Sequence, residues 1–130
     1  TYVTLDELLQ QSDIVSLHVP ASPATTKMIS AEKLALMKPS AILVNCARGP
    51  VVDSQALANA LQNGIIAGAC LDVLESEPPF PADHPLLSAP HTLITPHVAF
   101  ATHESMVKRA AIVFENIVKY FDGAPQNVVC

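Results

Sequence analysis

One hundred and thirty residues make one domain or a large part of one, and a half-hydrophobic, aromatic-poor composition suits a sheet covered by helices. A net charge of -5, with no basic patch interleaved with aromatics, argues against nucleic acid as a partner, and no apolar run reaches the ~18 residues of a membrane span. No signal peptide is recognised, and the three cysteines (Cys46, Cys70, Cys130) lack metal-type spacing, so reduced thiols in a cytoplasmic protein without a metal are expected.

Thr4 and Glu7 form a capping box, with Val3 and Leu8 at staple positions, predicting a short helix that ends near Gln11. Ile14 to His18 is an apolar strand stopped by Pro20, with Pro23 holding a loop behind it. Ser30 is the expected N-cap of the next helix, which runs to Lys38-Pro39. The stretch from Ala41 to Asp53 then reads as buried strand, tight loop and helix N-cap, with the following helix closing at Asn63-Gly64. Ile65 to Leu71 is a third strand delivering Asp72. Residues 73–91 hold five of the eleven prolines and read as a surface loop. A fourth strand, Thr92 to Thr95, leads to Pro96-His97. The last helix carries Val107, Ala110, Ala111, Phe114, Ile117, Val118 and Phe121 on one stripe and stops at Asp122-Gly123. Links of a dozen or more residues between the strands predict a parallel α/β sheet with right-handed crossovers.

Parallel strands would gather their terminal polar groups along one edge: His18, Asn45 with Arg48, Asp72, and His97, with Glu75 and Glu77 arriving from the loop. An arginine there grips an anion with its planar fork, and a histidine beside a carboxylate moves a proton. Plainer readings stand beside these: an ion pair of Arg48 with Asp53 or with a carboxylate of the loop, a hydrogen-bonded structural histidine, a solvated Glu77, and Asp72 as a turn cap. His84, His91 and His103 have no convergent partner in the pattern and are read as structural.

Asn45-Cys46-Ala47-Arg48-Gly49-Pro50-Val51-Val52-Asp53, Ala69-Cys70-Leu71-Asp72-Val73 with Glu77-Pro78, and Thr95-Pro96-His97 together resemble the D-isomer-specific 2-hydroxyacid dehydrogenases. The Leu-Asp-Glu-Leu-Leu helix from Leu5, the strand ending His18-Val19-Pro20 and the His84 to Leu87 step extend the resemblance along nearly the whole chain. It implies a Rossmann-type parallel sheet with flanking helices, of which this chain is the second half only. Residues 1–123 would be the C-terminal part of an NAD-binding domain, and residues 124–130 the start of the return to a substrate domain. It further implies that Arg48 binds the substrate carboxylate, that His97 is the acid/base and that Glu77 is its paired carboxylate. Asp72 would hold the nicotinamide carboxamide, and His18, Val19, Pro20, Cys46, Ala47, Arg48, His97 and Ala99 would lie along the cofactor.

The family's G-x-G-x-x-G turn and the acidic residue of the following strand are not found among the four glycines and strands read here, so NADP is not excluded beside NAD. The expected activity is therefore that of a parent enzyme interconverting a small 2-keto acid and a D-2-hydroxy acid, with the fragment alone inactive. The run Val98-Ala99-Phe100-Ala101-Thr102 is nearer to glycerate (hydroxypyruvate) dehydrogenases than to phosphoglycerate dehydrogenases. The family implies a homodimer joined through this domain. The rival reading is a dinucleotide-sensing corepressor of the C-terminal-binding-protein type, which shares the fold and the Glu-Ser-Glu-Pro step at Glu75 to Pro78.

Overall fold

The computed structural model describes residues 1–76, 79 and 81–129, so Glu77 and Cys130 lie outside the described residues. The chain divides into two units, Thr1–His97 and the segment from Val98 on. In the first, helix α1 (Leu5–Gln11) opens with the expected capping box: Thr4 Oγ1 accepts from the Glu7 N–H and Glu7 Oε2 accepts from the Thr4 N–H. Strand β1 (Ile14–Leu17), the short helix α2 (Ala31–Leu34), strand β2 (Ile42–Asn45), helix α3 (Ser54–Gln62), strand β3 (Gly68–Leu71) and strand β4 (Thr92–Ile94) follow.

Among the described residues the four strands are parallel, and their order in the sheet is their order in the chain. A sheet that grows in one direction through crossovers of one hand carries all of them on one face. That face is the core: Val15, Leu17, Leu43, Ala69 and Leu71 are buried with Leu34 of α2 and Leu57 and Leu61 of α3. The other face is open, with Ile14 65%, Ile42 37% and Leu93 62% exposed.

The first and fourth strands each end one residue before the expected His18 and Thr95, and two elements are shorter by more than that, each with a local cause. After Leu34 the chain tightens, with Leu36 donating to Lys33 O and Met37 to Leu34 O, so α2 ends before Lys38-Pro39. The Ser30 hydroxyl donates to Glu32 Oε2 (2.5 Å) and makes no cap bond to the helix backbone. The apolar run from Ile65 is not all strand. Gly64, at φ 64°, donates to Leu61 O and Ile65 donates to Ala60 O, so Ile65 finishes α3 as a Schellman motif and β3 starts at Gly68. The proline-rich loop also holds structure, a 3-10 turn at Pro85–Leu87 capped by His84 Nδ1, which accepts from Leu86 N–H.

The second unit is led by helix α4 (His103–Phe121), N-capped by Thr102, whose hydroxyl accepts from the Ser105 N–H. Its Arg109 guanidinium lies 5.3 Å from the centre of the Phe100 ring, a cation–π contact.

Candidate active site

The strands end on one level. Leu17 pairs with Asn45, Asn45 with Leu71 and Leu71 with Ile94. His18, Cys46, Asp72 and Thr95 therefore leave the sheet side by side along its carboxyl edge, the edge at which open α/β sheets take their ligands.

At the exit of β2, Asn45 is 1% exposed and folds its amide over the backbone that follows. Its Oδ1 accepts from the Ala47 N–H and its Nδ2 donates to Arg48 O, both at 3.0 Å, which turns residues 46–48 across the strand end. The next residue approaches its neighbour too closely for a side chain. A Cβ on Gly49 would sit 1.8 Å from Leu74 O, so only glycine lets this turn rest on the chain leaving β3. At the exit of β1, His18 Nε2 is hydrogen-bonded to Ser16 Oγ (2.8 Å). Between the two exits lies a depression of about 330 Å³ lined by His18, Val19, Pro20, Cys46, Ala47 and Arg48.

Arg48 is exposed, and its Nη1 donates to Ala47 O at 2.6 Å. The plainer Arg48–Asp53 pair does not form. Asp53 instead caps α3 by accepting from the Ala56 N–H and pairs with Lys27 Nζ (3.0 Å). The Ala56 N–H first, and Lys27 next, hold the Asp53 carboxyl below its ordinary value of 3.8. Glu75 is engaged at the same helix start, where Oε1 accepts from the Ser54 N–H at 3.4 Å.

At the exits of β3 and β4, Asp72 is 3% exposed and its Oδ1 accepts the Thr95 hydroxyl at 2.5 Å. The His97 N–H is shared between Asp72 O (2.9 Å) and Thr95 O (3.0 Å). His97 is half-buried and has φ 57°, a left-handed conformation that costs a non-glycine residue on the order of 1 kcal/mol and that clusters at functional sites. Ala99 belongs to the second unit. The sequence reading missed Ser16, Thr95 and the clamping role of Asn45; an asparagine at a strand exit, two residues before the amide that it accepts, is the one local signal that was available.

Residues 1–99 match the family described as "D-isomer specific 2-hydroxyacid dehydrogenase, NAD binding domain". The chain is 50% identical over 129 residues to a glyoxylate reductase of Korarchaeum cryptofilum, covering 98% of this chain and 39% of that protein. It is 47% identical over 130 residues to a glycerate dehydrogenase of Methylorubrum extorquens, covering 98% and 41%. Among solved structures, the NAD-complexed D-isomer specific 2-hydroxyacid dehydrogenase of Lactobacillus delbrueckii ssp. bulgaricus superposes with a TM-score of 0.89 at 40% identity, covering 99% of this chain and 43% of that one. The chain thus spans about two-fifths of the length of the relatives it matches. The carboxyl edge also suits the nicotinamide end of a dinucleotide by its own chemistry: a buried carboxylate to accept from an amide, a guanidinium for an anion and an imidazole for a proton.

Proposed function

The chain belongs to the D-isomer specific 2-hydroxyacid dehydrogenases, and from that premise we propose that it is the C-terminal half of the NAD-binding domain of a longer parent enzyme that reduces a small 2-keto acid to a D-2-hydroxy acid. The observation that carries this is the common level of the four strand ends, which sets His18, the Arg48 turn, Asp72 and the Thr95–His97 turn along one edge.

When bound, the reduced nicotinamide supplies the hydride. Arg48 grips the substrate carboxylate with its fork and so orients the carbonyl, and His97 gives its proton to the carbonyl oxygen as charge develops there. Glu77 is assigned as the carboxylate that favours the protonated imidazole, on its Glu-Pro motif alone. The engagement of Glu75 at the start of α3 supports that choice over its neighbour. Asp72 accepts from the carboxamide, His18 to Pro20, Cys46 and Ala47 line the cofactor, and Ala99 is assigned to cofactor binding on the family motif alone. Residues 124–130 begin the return to the substrate domain, and the glycine turn for the pyrophosphate belongs to the part of the parent outside this chain. The names of the relatives, which include a hydroxypyruvate reductase of Blautia hydrogenotrophica at 43% identity, favour glyoxylate or hydroxypyruvate as substrate, and the free thiols of Cys46 and Cys70 favour a reducing cytoplasm. A homodimer completes the proposal.

The test is NADH oxidation by the parent protein with glyoxylate and hydroxypyruvate. Asparagine tolerates the left-handed backbone of residue 97, so His97→Asn keeps the turn and removes the acid/base. Turnover should fall by ~10²–10⁴-fold, the range for lost general acid–base catalysis. Unchanged turnover would remove His97 from the mechanism, and no NADH oxidation by the unaltered parent with any small 2-keto acid would refute the proposed activity.

A further inference from the structure

We propose that Thr95 is a positioning residue for the nicotinamide subsite, acting through Asp72. The inference rests on the reading that Asp72 receives the carboxamide. The main chain fixes Thr95 beside Asp72: the Thr95 N–H donates to Leu71 O at 2.9 Å, and the His97 N–H donates to Asp72 O at 2.9 Å. Pro96, between them, has its φ locked by its ring. From that place the Thr95 hydroxyl reaches Asp72 Oδ1 at 2.5 Å, in the short range of charge-assisted O–H···O⁻ bonds.

A carboxylate only accepts, so the hydroxyl is the donor and its direction is set. The terminal torsion of an aspartate is broad and roughly two-fold, and one strong bond to Oδ1 selects one plane for the group. A carboxylate offers about four lone-pair sites, so the Thr95 bond does not exhaust it. Asp72 is 3% exposed, and water is therefore a poor substitute for the missing hydroxyl. Thr95 sets the plane in which Asp72 meets an amide, and the two form one rigid acceptor.

The experiment uses the full-length parent and two ligands, NADH and ADP-ribose, with dissociation constants measured by calorimetry. ADP-ribose has the pyrophosphate and adenosine but no carboxamide. Thr95→Val, which keeps the shape and loses the hydroxyl, should weaken NADH about tenfold, at the low end for a hydrogen bond to a charged group, and leave ADP-ribose within about twofold. Thr95→Ser should restore NADH affinity. A Thr95→Val variant that binds NADH as well as the unaltered parent, or that loses both ligands equally, overturns the inference; the second outcome would mean a structural role alone. Thr95→Ala gives the same comparison should the valine variant not fold. Asp72→Asn separates the two layers. If it weakens NADH selectively and Thr95→Val does not, Thr95 has no positioning role and the Asp72 reading stands. If Asp72→Asn leaves NADH binding unchanged, the Asp72 reading fails and the inference with it, whatever the Thr95 variants do.

Discussion

Among the described residues, Arg48 is held by its neighbours rather than by a partner for its own charge. The buried Asn45 amide bonds the Ala47 N–H and the Arg48 carbonyl, and Gly49 lets the turn lie against Leu74, so the base of the arginine is fixed while its guanidinium stays exposed. A lysine at this position would stand on the same base with a point charge in place of a fork. Arg48→Lys should therefore raise KM for the 2-keto acid in the parent by roughly 10–100-fold, the cost of one hydrogen bond to a charged group, while NADH affinity changes little. Steady-state kinetics with both substrates varied would check this, and an unchanged KM would exclude a bidentate role. The placement of Arg48, Asp72 and His97 beyond the strand ends was legible in the chain, because each follows a short apolar run. The left-handed φ of His97 and the Thr95–Asp72 bond were not, because both depend on strands 23 residues apart being in register, Ala69 against Thr92.

Among the elements, those whose limits are set by near neighbours were the legible ones. The Thr4–Glu7 box starts α1, and the Asp53 cap starts α3 as the sequence predicts. The end of α2 was not legible, because it turns on a change from i−4 to i−3 bonding that no residue type announces. The start of α3 is also where chain segments meet: Lys27 and Asp53 pair across it, Ile29 and Val52 form a parallel bridge, and Glu75 accepts from its first amide, the Ser54 N–H. Asp53→Ala should cost about 0.5–2 kcal/mol, the usual range for a lost N-cap, measured by urea denaturation. The pH dependence follows from the direction of the shifts. The Asp53 carboxyl is held below 3.8 by the Ala56 N–H and then Lys27, and that of Glu7 below 4.5 by the Thr4 hydroxyl and then the Thr4 N–H. Each titrates lower in the folded than in the unfolded chain, so each contributes stability that is full above its unfolded value and is lost as pH falls through its folded one. Denaturation midpoints should thus decline from pH ~5 down towards ~2, and Asp53→Ala should show a shallower decline.

At the scale of the whole molecule, the sheet is covered on one face and bare on the other. Ile14, Ile42 and Leu93 stand on the bare face, and among the described residues no strand pairs with the outer edge of β1. In the second unit, Val107, Phe114, Ile117 and Phe121 of α4 are 60%, 71%, 50% and 81% exposed. An apolar patch of several hundred Å² supplies on the order of 10 kcal/mol when covered, before association costs of comparable size. An unpaired strand edge adds a template for another chain. The 130-residue chain by itself should accordingly form dimers or larger species in sedimentation velocity at micromolar concentration; a monodisperse monomer would contradict this.

The order of the strands has a consequence in time as well as in space. Ile14 meets Ile42, 28 positions on; Ile42 meets Gly68, 26 on; and Ala69 meets Thr92, 23 on. Loop-closure entropy grows only with the logarithm of length, so each step costs nearly the same, and no strand waits for a remote partner. A chain emerging from the ribosome amino end first would find, for each new strand, its neighbour already docked. The carboxyl edge is then assembled from one side: the Arg48 turn folds onto β1 first, Asp72 joins it, and the left-handed turn at His97 closes when β4 arrives.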